Sequence, residues 1–305
     1  MKKTVAVNWQ YGTFTHSGWY QADNEDRSLL RIGTSEQGDP YAVAIIADGM
    51  GGYGSGAEAS ELALTMTKEW MDHVLPIVFA KENPLDELDH ILGLLFHRIN
   101  EHLVQTGVNN ESKLGTTLSI LILYKEVYLL HHTGDCRIYY RKQTGRIQQL
   151  TEDQTWVAEQ VRLKKLSPLQ AVKHPNRSVL LHCLGINPQL SVFRKKGYYD
   201  PYSLFMLCSD GLYTRFREDE LDRLLLIVGR GQLDLPDICS ELVNQALSRG
   251  ANDNLTVMLL RPMTVYSTEK ERLVRQLNSF YREKLPETGK KMASDLNEWV
   301  RKWRK

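Results

Sequence analysis

The chain has 305 residues, 42% of them hydrophobic and 25% charged, with a formal net charge of +1; this balance suits one sizeable globular domain and excludes disordered and fibrous classes. Met1-Lys2-Lys3 is basic, but Asn8, Gln10, His16 and Ser17 interrupt the stretch where a signal peptide needs an apolar run, and the longest apolar run, Leu118 to Leu123, is too short to cross a bilayer. Cys136, Cys183, Cys208 and Cys239 are widely spaced with no C-x-x-C pair, which argues against a zinc cage or a disulfide framework and for a reducing, cytoplasmic setting.

Residues 41–47 form an apolar, β-branched run ending at Asp48-Gly49, which predicts a buried strand emptying into a glycine-rich loop. Leu62, Met66, Trp70 and Val74 then recur every four residues, and Leu88, Leu92, Leu95, Ile99 and Leu103 draw a second stripe; both predict core-facing helices. Residues 116–140 are rich in Thr, Val, Ile, Leu and Tyr, with breaks at Lys125-Glu126 and Gly134-Asp135, and predict an antiparallel meander, followed by a turn at Thr144-Gly145 before Ile147. Residues 153–180 mix charged and apolar positions around Pro168 and Pro175, as short helices on a surface excursion would. A strand over 202–208 leads into Asp210-Gly211, helices surround 221–228 and 238–247, and 254–260 is a last strand. This order does not alternate as a parallel sheet requires, so an α+β layered architecture is expected.

The main chemical signal is that Asp48, Asp135, Asp210 and Asp253 each sit where an apolar strand begins or ends. One Asp-Gly pair is an ordinary turn. Several together are costly, because like charges about 4 Å apart at an effective dielectric near 20 repel by roughly 4 kcal/mol per pair. Divalent cations would relieve that repulsion. An all-oxygen donor set suits Mg²⁺ or Mn²⁺ rather than zinc, and no H-E-x-x-H competes for a metal. Two such ions can hold a bridging hydroxide and clamp a phosphoryl oxygen, so hydrolysis needs no protein nucleophile. Residues 49–54 formally match G-x-G-x-x-G, but the preceding Asp48 would repel a pyrophosphate, and the position about twenty residues on falls inside a predicted helix.

The ordered set Asn24-Glu25-Asp26, Asp48-Gly49-Met50-Gly51-Gly52, Gly115-Thr116-Thr117, Thr133-Gly134-Asp135-Cys136-Arg137, Leu150-Thr151-Glu152-Asp153, Leu184-Gly185, Cys208-Ser209-Asp210-Gly211-Leu212 and Asp253-Asn254-Leu255-Thr256 resembles the bacterial PPM, or type 2C, serine/threonine protein phosphatases over roughly residues 5–262. The resemblance implies a four-layer αββα sandwich of two antiparallel sheets flanked by helices, with a metal cleft at one end. It implies that Asp48 bridges two Mn²⁺ or Mg²⁺ ions, that the Gly49 carbonyl ligates one, and that Asp210 and Asp253 hold the other. Glu25 and Asp26 would act through water, and Asp135 with Asp210 would form a third site. Residues 153–180 look like the family's flap. Gln21 stands where many members place an arginine that grips substrate phosphate, which implies a weaker grip or compensation by another cation such as Arg27 or a flap lysine. Met50 stands where animal members often place a histidine, an exchange common in bacterial members.

Residues 1–262 are thus expected to form the catalytic domain and 263–305 a basic helical appendage. From 268 on, the chain carries eleven Lys/Arg against six Asp/Glu, so the rest is net acidic by about four charges. That disfavours nucleic acid as a partner. The tail, with Trp299 and Trp303 four residues apart, could dock an acidic partner or a membrane surface, or simply be solvated. Cys136 and Cys208 read either as buried thiols or as redox elements beside the acidic motifs. The expected function is dephosphorylation of phosphoserine and phosphothreonine proteins that a cytosolic kinase modifies. The alternatives are a phosphoprotein-binding regulator of the same fold and a small-molecule phosphohydrolase.

Overall fold

The computed structural model describes residues 6–51, 55–142, 145–200, 202–230 and 234–265. The chain divides into one compact unit over residues 9–263 and a second over 1–8 and 264–305. The expected helical appendage with Trp299 and Trp303 lies outside the described residues, as do Gly52 and Gly54 of the glycine loop.

Two strands that the sequence did not announce open the fold, β1 (Ala6–His16) and β2 (Asp26–Thr34). β2 is an edge strand with a run of half-buried residues from Arg27 to Arg31, so it shows no clean alternation. β3 (Pro40–Met50) is buried at Ala42 through Ala47. It does not end at Asp48 as expected: Asp48 pairs with Asp26 of β2, and Gly49 pairs with Thr116, so the ladder holds the strand extended through Met50. The helices α1 (Ser55–His73), α2 (Leu75–Phe79) and α3 (Pro84–Asn109) follow. In α3 the stripe Leu88, Leu92, Leu95, Ile99 and Leu103 is buried as its spacing demands. In α1 the buried face is Ala59, Ser60, Ala63, Thr67, Trp70 and Met71, while Leu62 and Met66, and Val74 just past its end, are only partly covered. Small residues there let the helix lie close on β3.

The expected meander is split between two sheets. β4 (Gly115–Thr116), β5 (Leu118–Tyr124) and β6 (Val127–Thr133) stay with β3, but the chain crosses over at Gly134-Asp135, and β7 (Arg137–Arg141) and β8 (Ile147–Gln149) join the other sheet. The excursion folds as α4 (Trp156–Arg162) and α5 (Pro168–Val172), the first capped by the Thr155 hydroxyl and the second by a Ser167/Gln170 capping box. Then come β9 (Phe193–Tyr198), β10 (Leu204–Cys208), the single turn α6 (Asp210–Tyr213), α7 (Glu218–Arg230), α8 (Leu235–Ser248) and β11 (Leu255–Val265).

The sheets run β1-β11-β10-β7-β8 and β2-β3-β5-β6-β9, with antiparallel neighbours throughout the second and across β11-β10-β7-β8 of the first. Alternation gives each sheet two apolar faces. Val43, Ile45 and Ala47 pack outward against α1–α3, and Leu204, Met206 and Cys208 pack outward with α6–α8 residues. Between the sheets, Phe205 meets Tyr128 at 6.4 Å, Tyr140 at 5.1 Å and Tyr199 at 5.6 Å between ring centroids. The expected layered sandwich is therefore present. Among the described residues no helix is long and apolar enough to cross a membrane.

Candidate metal centre

The acidic residues gather where β2, β3, the crossover and the starts of α6 and β11 meet. The ladder sets Asp26 opposite Asp48. Asp48 is fixed by a reciprocal pair with Thr117: its N–H donates to the Thr117 hydroxyl at 2.9 Å, and its carbonyl accepts the Thr117 N–H at 2.8 Å. The Thr117 hydroxyl also lies 3.3 Å from the Cys136 thiol, next to Asp135. Gly134 turns the chain at φ +111°, where a side chain would be strained and would strike Thr117. His132 braces this turn, one ring nitrogen 2.8 Å from the Ser119 hydroxyl and the other 3.0 Å from the Gly134 carbonyl.

Asn254 ties the remaining pieces together. Its side-chain oxygen accepts the Glu25 N–H at 2.7 Å, and its amide donates to the carbonyls of Ser17 and Asp23 at 2.8 and 3.2 Å. The loop carrying Gln21 and Glu25 is thereby anchored to the start of β11. Ser209 donates to Asp26 Oδ2 at 2.7 Å, joining β10 to β2. Sequence reading assigned Thr117, Ser209 and Asn254 no role; Ser209 and Asn254 adjoin Asp210 and Asp253, whereas Thr117 stands in Gly115-Thr116-Thr117 with no aspartate beside it.

Electrostatics confirm the crowding. Burial, and then the charges of Asp26, Asp210, Asp135 and Asp253, hold the Asp48 carboxyl well above the ordinary carboxylate range. Burial pushes Asp26 up to about 6, against hydrogen bonds from Ser209 and Thr256. Burial and then Asp253 and Asp26 push Asp210 up to about 7. Asp135 is raised by burial, Asp210 and Asp153, with Arg137 opposing. The charges of the four other predicted aspartates thus converge on Asp48. Glu25 is turned toward the first turn of α1, where the N–H groups of Gly56 and Ala57 bond its carboxylate. Gly49 faces the same helix end so closely that a Cβ there would overlap the Gly56 carbonyl.

The donor set fits a hard divalent cation. Its atoms are carboxylate oxygens, and Asp26 Oδ1 is buried without a hydrogen-bond partner, a costly state that a cation or its bound water would relieve. Among the described residues no three His, Cys, Asp or Glu side chains close into a ready cage. A cation that keeps several waters draws on only one or two carboxylates, so it needs no closed cage.

A cleft of about 1660 Å³ runs from Asp135, Asp210 and Asp253 along α4 and α5, whose Val157, Val161, Ala171 and Val172 line it. Gln21 is exposed on its loop. Arg27 does not stand in for a phosphate-binding cation: its Nε donates to Glu61 at 2.6 Å and its Nη1 to the carbonyls of Asn24 and Asp26. Arg137 is likewise committed, to Asp153 at 2.6 Å and to the Tyr213 ring at 3.8 Å.

The protein phosphatase 2C family pattern matches residues 21–259. The serine/threonine phosphatase stp of Listeria welshimeri is 29% identical over 248 residues, covering 81% of this chain and 93% of that protein. The structure of the S. agalactiae serine/threonine phosphatase superposes with a TM-score of 0.70 at 23% identity, covering 83% of this chain and 99% of its own. The catalytic domain of the phosphatase PstP, solved with two manganese ions, superposes with a TM-score of 0.66 at 21% identity over 85% of this chain and all of its own.

Proposed function

The chain belongs to the protein phosphatase 2C family and is a metal-dependent serine/threonine protein phosphatase, and from that premise we propose how its own residues serve the reaction. Asp48, Asp210 and Asp253, with the Gly49 carbonyl, hold two divalent ions. Asp26 and Glu25 act on them through water, and Asp135 with Asp210 offers a third position. Such ions supply charge neutralisation at the phosphoryl oxygens and an activated water, so the chain needs no nucleophile of its own. Mn²⁺ and Mg²⁺ both suit oxygen donors; the two manganese ions of the PstP structure support manganese.

The protein's part is preorganisation. Thr117 fixes Asp48, Ser209 orients Asp26, and Asn254 holds the Glu25 loop against β11. The cleft leading away from Asp135, Asp210 and Asp253 accommodates an extended phosphorylated segment of a protein. We assign as substrates the products of a cytoplasmic serine/threonine kinase; the four free cysteines are compatible with that compartment.

The observation that carries this reading is the convergence of Asp26, Asp48, Asp135 and Asp210, all with raised pKa and one with an unpartnered oxygen. The test is phosphate release from a phosphothreonine peptide with Mn²⁺, with EDTA, and by Asp210→Asn. Release by the wild type that EDTA abolishes, together with a loss of at least about a hundredfold in Asp210→Asn, is expected. A variant with near-normal rate would overturn the assignment.

A further inference from the structure

A phosphomonoester approaching this site carries close to two negative charges and must settle beside carboxylates. Beyond the ions, it therefore needs a fixed cation whose charge is not already neutralised. The arginines of the cleft differ sharply in this respect. Arg137 is paired with Asp153, Arg249 with Glu220, Arg217 with Asp219 and Arg162 with Glu159. Arg215 has no ion pair among the described residues, although it lines the cleft together with Asp210 and Asp253.

We propose that the Arg215 guanidinium is the substrate-binding cation of this phosphatase, receiving the phosphoryl oxygens at the acidic end of the cleft. The inference rests on the phosphatase reading above and adds a residue to it. Arg215 follows α6, the turn that begins at Asp210. Its Nη2 donates to the neutral Asn252 side chain at 2.8 Å, one residue before Asp253, and its Nε is buried without a partner. A guanidinium held by a neutral amide keeps its full charge and retains donors for a planar, bidentate oxyanion contact.

The backbone beneath it is also pinned. Arg249 Nη1 donates to the Arg215 carbonyl at 2.8 Å while pairing with Glu220 at 2.5 Å and stacking on Phe216 at 4.5 Å. The guanidinium is thus mounted on a braced turn. Arg177 and Arg194 also line the cleft without ion pairs among the described residues, but Arg177 follows the flap helix α5 and Arg194 lies against Gly93 of α3. Only Arg215 combines that freedom with a bond to the residue preceding Asp253.

The experiment is calorimetric binding of inorganic phosphate to the Mn²⁺-loaded full chain, with KM and kcat on a phosphothreonine peptide, for wild type, Arg215→Gln and Arg215→Lys. Loss of one charge-assisted contact should weaken phosphate binding and raise KM by roughly tenfold or more in Arg215→Gln, with a smaller loss in Arg215→Lys and unchanged Mn²⁺ stoichiometry. Wild-type turnover with unchanged phosphate affinity and KM in Arg215→Gln would overturn the proposal. If Arg215→Gln does not fold, Arg215→Lys decides, because an unaltered phosphate affinity there contradicts a bidentate contact. Arg215-dependent phosphate binding without wild-type turnover would instead sink the phosphatase reading and leave the Arg215 site standing.

Discussion

Asp26 and Asp210 sit at about 6 and about 7 in the fold, against an unfolded value near 4. The folded state therefore binds these protons more tightly than the unfolded chain, so their contribution to stability is complete below about pH 4 and is lost as pH rises through 6 to 7. His131 and His132 act oppositely: burial lowers both to about 4, so their contribution is present above about pH 6.5 and is lost as pH falls. A comparison with Asp210→Asn separates the two effects. In EDTA the variant should gain in melting temperature over wild type between pH 5 and 8, and Mn²⁺ should erase that advantage. A difference that stays flat across pH would show that Asp210 is not under carboxylate pressure. The aspartates were legible in the sequence because four of them punctuate apolar strands. Arg215 was not legible as a site residue, because its freedom from ion pairs depends on where Glu218, Asp219 and Glu220 point.

At the scale of elements, periodicity worked where one face alone is buried and failed where packing involves small residues or edges. The α3 stripe is spaced as its burial requires. α1 turns Ala59, Ala63 and Thr67 inward, which a pattern of large apolar residues cannot reveal. β9, with Arg194, Lys195 and Lys196 on an edge, drew no strand reading, because edge strands favour charge over apolar alternation. The Lys125-Glu126 break is a two-residue hairpin turn with both residues at positive φ, 48° and 62°, the primed geometry that matches strand twist. Glu126 carries a left-handed cost there that glycine does not. Glu126→Gly is expected to raise the urea midpoint by an amount worth about 1 kcal/mol with unchanged activity; a lowered midpoint would mean the side chain contributes more than the backbone strain costs.

At the scale of the molecule, two sheets meet face to face through an aromatic layer around Phe205, and their shared end brings Asp26 and Asp48 of one sheet to the Asp210 and Asp253 connections of the other. The α+β layering followed from element order, whereas the crossover at Gly134-Asp135 did not, because a turn dipeptide does not say which sheet receives the next strand. That crossover is what brings Asp135 to the centre. Asp48 sits where the charges of the four other aspartates converge, so it is the residue on which the account depends. Calorimetric titration of Mn²⁺ into the wild type and Asp48→Asn tests it directly: at least two ions should bind the wild type, and the variant should lose a site or weaken by tenfold or more, about 1.4 kcal/mol. Equal stoichiometry and affinity in the two proteins would contradict a metal centre built on Asp48.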